Sequence, residues 1–84
     1  MSLTIEDVHK GISSNIIRLR RERSLTQEDL AAQIKCSQAF VQKIESNIKH
    51  SNIEQIYRIA TALDCSIHNI LPEVKIEWEN EDER

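Results

Sequence analysis

This chain of 84 residues contains one glycine and one proline. A fold rich in tight turns or β-hairpins needs many more of both, so helices are the expectation. Cysteine is nearly as scarce. Cys36 and Cys65 are the only two, too few for a disulfide framework, and a reducing, cytoplasmic setting follows. No apolar run approaches the roughly 20 residues that cross a bilayer, and no basic region followed by an apolar stretch opens the chain. There is no excess of positive charge either, the formal net charge being −3.

That total hides a division. Residues 72–84 carry Glu73, Glu77, Glu79, Glu81, Asp82 and Glu83 against Lys75 and Arg84, a net −4, which leaves +1 on residues 1–71. Arg18, Arg20, Arg21 and Arg23 form a dense basic stretch within that body. Binding to a polyanion depends on the local field of one face and not on the sum.

What is present reads as a series of helix starts. Thr4-Ile5-Glu6-Asp7 offers a hydroxyl cap followed by acids. Ile5, Val8, Ile12, Ile16 and Leu19 recur at helical spacing, with Ile17 beside the stripe, but Gly11, Ser13 and Ser14 interrupt the run. The pattern predicts a short N-terminal extension over 1–11 and a first core helix at about 12–23. Thr26 caps a second helix buried through Leu30, Ala31 and Ile34. Lys35-Cys36 is a very short connection, and Ser37 caps a third helix with Val41 and Ile44 inward and Phe40 beside them. Asn47 suits the backbone that ends it. Ser51-Asn52-Ile53-Glu54 fits a capping box opening a fourth helix at about 52–63, with Ile53, Ile56, Tyr57, Ala60 and Leu63 as its stripe. Ser66 is expected to cap a short fifth helix carrying Ile67, Ile70 and Leu71, stopped by Pro72. Beyond it Val74, Ile76 and Trp78 alternate with charged residues, which predicts a strand over 74–79 at the head of an acidic tail, residues 72–84.

Two short helices joined by a very tight turn make a helix-turn-helix. Residues 12–71 resemble the five-helix Cro/repressor (XRE) family of transcription regulators. The resemblance rests on Ile16-x-x-Leu19-Arg20, on Leu25-Thr26-Gln27-Glu28-Asp29-Leu30-Ala31, on Ser37-Gln38-Ala39-Phe40-Val41-Gln42-Lys43-Ile44-Glu45, and on Ala60-x-x-Leu63. It implies an all-α DNA-binding domain that reads operator DNA as a symmetric homodimer, with the third core helix in the major groove. On that resemblance Gln38, Ala39, Gln42 and Lys43 face base edges, and Gln27, Ser46, Asn47 and Lys49 meet phosphates. Arg20 and Glu45 form a partly buried salt bridge that orients the reading helix. Ile67, Ile70 and Leu71 supply a dimer interface, to which the Val74, Ile76, Trp78 segment adds a strand edge. Arg18 and Arg21 are either further positive charge towards DNA or ordinary surface arginines. Lys35, Asn47 and Asp64 stand where relatives often have glycine, and His50 where proline is common.

Other chemistries find less support. Cys65-x-x-His68 is the only Cys/His pair at helical spacing and has no second pair to complete a metal site, so both cysteines read as small core residues. No glycine-rich phosphate loop exists, and no cofactor or enzymatic activity is expected. The competing reading is a protein-interaction module, such as an antitoxin or a dimerising scaffold, which the acidic tail favours. A regulatory protein partner is compatible with either reading.

Overall fold

In the computed structural model, residues 4–73 are described. They form four α-helices, α1 (Ile5–Glu22), α2 (Gln27–Ile34), α3 (Gln38–Glu45) and α4 (Ile53–Ala62), followed by a 3-10 turn at Ile67–Asn69, with no strand among the described residues. The expected strand over 74–79 lies outside them.

The first departure from the sequence reading is α1 itself. It runs unbroken through Gly11, Ser13 and Ser14 over 18 residues. The residues that weaken a helix intrinsically are spent here on long-range contacts. A Cβ on Gly11 would sit 3.1 Å from Pro72 Cγ, so the bare backbone lets the C-terminal segment pack against the helix. The buried Ser13 Oγ donates to the Ile44 carbonyl at 2.7 Å. Asn15 Nδ2 donates to the Ile70 carbonyl at 2.8 Å. Tertiary contact therefore outweighs propensity along this stretch. Thr4 caps the helix, with Asp7 N donating to Thr4 Oγ1 and Thr4 N donating to Asp7 Oδ2. The Thr4 backbone N–H and the Thr4 hydroxyl both donate to Asp7 Oδ2, and these two bonds hold the Asp7 carboxyl below its usual range.

Thr26 repeats this capping box with Asp29 at the start of α2, and Asp29 is lowered by the same cause. Ser37 Oγ accepts from Phe40 N at the start of α3. At α4 the cap is Asn52, paired reciprocally with Gln55, and not Ser51 with Glu54. Ser51 is instead buried. The buried face of α4 also differs from the expected stripe. Ile56, Ile59, Ala60 and Leu63 face the core, while Ile53 and Tyr57 point to solvent at 61% and 57% exposure.

The expected fifth helix is reduced to the single 3-10 turn. Ser66 Oγ accepts from His68 N, and Asn69 Oδ1 accepts from Ser66 N. The Ile70 carbonyl goes to Asn15 on α1 rather than to a following N–H, and Pro72, two residues on, cannot extend a helix.

One aliphatic core joins all these elements. Ile16, Leu30, Ile59, Leu63 and Ile70 are its most enclosed side chains. Four connections shape it, each with one left-handed residue. Lys35, Asn47 and Asp64 all take the left-handed conformation, with φ of 60°, 62° and 54°, and Ser24 does so at 56°. The turn between α2 and α3 thus keeps the geometry that favours glycine although Lys35 carries a side chain.

Candidate nucleic-acid interface

The buried side of α3 is made by Val41, Ile44 and Glu45. Gln38, Ala39, Gln42 and Lys43 are all exposed on the same helix. An amphipathic helix of eight residues so divided presents a short polar face outward.

Behind that face lies a continuous polar relay. Arg20 Nε reaches Glu45 Oε2 at 2.7 Å and Arg20 Nη2 reaches Glu45 Oε1 at 2.9 Å, a two-pronged pair between α1 and α3. Its side chains are only 10% and 4% exposed. Hydrogen bonding to Glu45 raises the Arg20 pKa, partly offset by desolvation. The third guanidinium nitrogen, Nη1, donates to the Leu25 carbonyl at 2.8 Å. Gln27, the first residue of α2, donates from Nε2 to Glu45 Oε1 at 3.0 Å. Its amide oxygen accepts from Gln38 Nε2 at 3.3 Å. The chain Arg20–Glu45–Gln27–Gln38 thus joins three helices and ends at the first residue of α3. Sequence reasoning treated these residues as a structural pair, a phosphate contact and a base contact; it did not connect them. Arg21 and Ser24 line the shallow groove beside Gln27 and Gln38.

Past α3 the groups have other engagements. The Ser46 hydroxyl donates back to the Gln42 carbonyl at 2.8 Å. Asn47 Nδ2 donates to the Glu6 carboxylate. Lys49 is exposed. The sequence read Glu6 only as an acid in the first turn of a helix, because only the packing of α1 against this loop brings it to Asn47. His9 and His50 stack face to face, with ring centroids 3.6 Å apart and an interplanar angle of 8°. Among the described residues no three His, Cys, Asp or Glu side chains are grouped to hold a metal ion. Cys36 and Cys65 are half-buried free thiols, and burial pushes the Cys65 thiol up.

Of the expected dimer surface, Ile70 is fully enclosed in the protomer's own core, so its side chain offers nothing to a partner. Ile67 and Leu71 are half-buried. Val74, Ile76 and Trp78 lie outside the described residues. Among the described residues no helix is long and apolar enough to cross a membrane.

The helix-turn-helix family model, HTH_3, matches residues 16–70, which includes all of α2, α3 and α4 and the polar relay. The chain belongs to this helix-turn-helix (XRE-type) family of DNA-binding regulators. An uncharacterized HTH-type transcriptional regulator, y4dJ, from Sinorhizobium fredii is 37% identical over 60 residues, 71% of this chain and 78% of that protein. The crystal structure of the wild-type restriction-modification controller protein C.Esp1396I superimposes with a TM-score of 0.68 at 29% identity, covering 70% of this chain and 77% of that one. The hypothetical transcription factor NHTF from Neisseria shares the fold at 21% identity, with a TM-score of 0.76 over 86% of this chain and 83% of its own. The helix-turn-helix occupies α2 and α3, and the polar face of α3 is its exposed side.

Proposed function

We propose that this helix-turn-helix protein is a cytoplasmic, sequence-specific transcription regulator that sets α3 into the major groove of operator DNA. The observation that carries this reading is the exposed Gln38, Ala39, Gln42, Lys43 face, with Gln38 held by the relay that ends at Arg20. Glutamine has the donor and acceptor needed for an adenine edge, lysine donates to guanine, and alanine meets a thymine methyl. Gln27, at the positive end of α2, takes a phosphate while its own amide steadies Gln38. Ser46, Asn47 and Lys49 add phosphate contacts along the loop after α3, Lys49 with its charge and the others once their present hydrogen bonds are exchanged.

Residues 12–71 serve as the DNA-binding domain in this reading, with 1–11 as an extension and 72–84 as an acidic tail. The active species is a symmetric dimer, since one recognition helix covers only a few base pairs and two half-sites lie about 34 Å apart. Ile67 and Leu71, together with Val74, Ile76 and Trp78, are the surface assigned to the partner copy. The test is a titration of duplexes selected from a random pool against unselected duplexes. Gln38→Ala, Gln42→Ala and Lys43→Ala should each cost about 1–3 kcal/mol on the selected site and relax preference at one base pair. Equal losses on both DNA pools would remove base reading from this face.

A further inference from the structure

The first turns of α1 carry a side-chain cluster that the DNA-binding reading does not use. Glu6 and His9, three residues apart, share one helix face and meet the loop that follows α3. Glu6 Oε2 accepts from Asn47 Nδ2. Glu6 Oε1 lies 3.5 Å from His50 Nε2. His50 is stacked in turn on His9. Two further polar atoms of this loop, Asn47 Oδ1 and Ser51 Oγ, are buried without a hydrogen-bond partner. A carboxylate and two imidazoles therefore grip a loop whose other side chains are assigned to phosphates.

We infer that Glu6, His9 and His50 form a protonation-sensitive clamp that positions the loop after the recognition helix and tightens DNA binding when the histidine pair takes up a proton. The inference rests on the proposed DNA-binding role of that loop. With both rings neutral, the Glu6 carboxylate is the uncompensated charge at the clamp and opposes an approaching phosphate. Two cationic rings 3.6 Å apart would repel strongly, so the stack accepts one proton. The stack takes it up beside a carboxylate, since His50 Nε2 stands 3.5 Å from Glu6 Oε1. His9 is held below the usual imidazole range by burial and then by His50, with Glu6 acting in the opposite sense. Glu6 and His9 from α1 and His50 from the loop are the titratable groups in direct contact. Lys10 and Lys49, beside them in the chain, are exposed, and Glu54 at the start of α4 is paired with Arg58 at 2.8 Å. One proton on the stacked pair cancels the Glu6 charge, so phosphate contact and proton uptake favour one another.

The test uses the full chain and a random-sequence duplex of about 24 base pairs, long enough for two half-sites. Affinity is read by fluorescence anisotropy at constant ionic strength, from about pH 7.5 to about pH 5.5, where other carboxylates stay ionised. Wild-type affinity should rise about threefold to tenfold on acidification, the size expected of one partly screened charge. The double variant His9→Phe/His50→Phe keeps two flat stacked rings and leaves His68 in place; its pH profile should be flat. Glu6→Gln should bind more tightly near pH 7.5 and show a shallower profile. A flat wild-type profile, or a double variant as pH-sensitive as wild type, overturns the inference. His50→Phe alone is the second variant should the double one fail to fold, with the same expected flattening. Ring-proton NMR of the DNA-free chain gives an independent reading. His9 and His50 should titrate together and take up one proton over this range, and two independent full titrations would refute the clamp. A chain that binds no duplex at any pH would sink the proposed function, and the NMR titration would then decide the clamp alone.

Discussion

Arg20 and Glu45 meet through two hydrogen bonds of 2.7 and 2.9 Å while both side chains are almost wholly enclosed. A buried pair of this kind is costly to break from one side, since the remaining charge loses its partner without regaining water. Arg20→Ala should therefore destabilise the fold by about 3 kcal/mol. For a domain of this size that lowers the melting temperature by more than about 10 °C. The double change Arg20→Met/Glu45→Leu should recover most of the stability, because an apolar pair of similar volume avoids the desolvation cost. DNA affinity should not return with it, since Gln27 also loses the carboxylate that holds it. Calorimetric melts beside gel shifts separate the two effects. A stable Arg20→Ala protein would assign the arginine to DNA instead.

Lys35 adopts φ 60° and ψ 45° at the end of α2. A side chain there crowds its own backbone, and among the described residues the exposed lysine side chain makes no hydrogen bond or ion pair in return. Lys35→Gly should stabilise the protein by about 1 kcal/mol, or about 4–8 °C in melting temperature. Asn47 and Asp64 tolerate the same conformation better, so glycine at either should gain less. Asn47→Gly also forfeits the Glu6 contact. Thermal denaturation of the three single variants gives the ranking. A loss at position 35 would mean that the lysine side chain contributes something its backbone conformation does not reveal.

The local signals read correctly from the sequence are those whose cause is local. Thr26 and Ser37 cap the next turn of their own helices, and Leu30, Ala31, Ile34, Val41 and Ile44 need only helical spacing to be placed inside. Ser51 and Asn52 are adjacent residues with the same capping chemistry, and spacing alone could not choose between them. Spacing also fits two overlapping stripes on α4, which is why Tyr57 was expected inside and Ile59 was overlooked. Gly11, Ser13 and Asn15 look like interruptions until Pro72, Ile44 and Ile70 come into contact with them. Nothing in the sequence links Glu6 to the stacked histidines, since that contact arises where α1 crosses the loop. The link from Glu45 through Gln27 to Gln38 is invisible for the same reason.

Lysine and glutamine contacts should separate by their salt dependence. Lys43→Ala and Lys49→Ala should each reduce the slope of log affinity against log salt by about 1, the release of one counterion. Gln27→Ala removes no charge, so the slope should stay unchanged while affinity falls on random duplexes and falls further on selected ones. It should also relax preference at the base pair assigned to Gln38, whose amide loses its support. Titrations at several salt concentrations test all three variants. An altered slope in Gln27→Ala would show that the change disturbs more than one phosphate contact.

Acid should unfold the protein in two stages. Burial, and then His50, hold His9 below the ordinary imidazole pKa of about 6.5, so the unfolded chain takes up that proton first. Its contribution is present above about pH 6.5 and is lost as pH falls through the folded value. Asp7 and Asp29 are also depressed, from 3.8, so their contribution persists to lower pH and disappears only as their folded-state values are crossed. Melting temperature against pH should show an early decline that His9→Phe removes and a later one that it leaves intact. A His9→Phe protein with the same early decline would exclude His9 as its cause.

Gly11 lies within α1, where alanine in place of glycine normally adds about 1 kcal/mol of helix stability. Here the new Cβ would stand 3.1 and 3.2 Å from Pro72 Cγ and Cβ, closer than ordinary packing accepts. The proline ring must retreat, loosening the segment that leads from the 3-10 turn towards the acidic tail. Gly11→Ala alone should therefore gain little or lose stability. In a Pro72→Ala background the smaller side chain leaves room, and the same change should yield about 1 kcal/mol. The difference between the two backgrounds is the coupling energy of the contact, read by a double-mutant cycle from denaturant melts. Identical effects of Gly11→Ala in both backgrounds would show that Pro72 does not press on the helix, and the glycine would need another explanation.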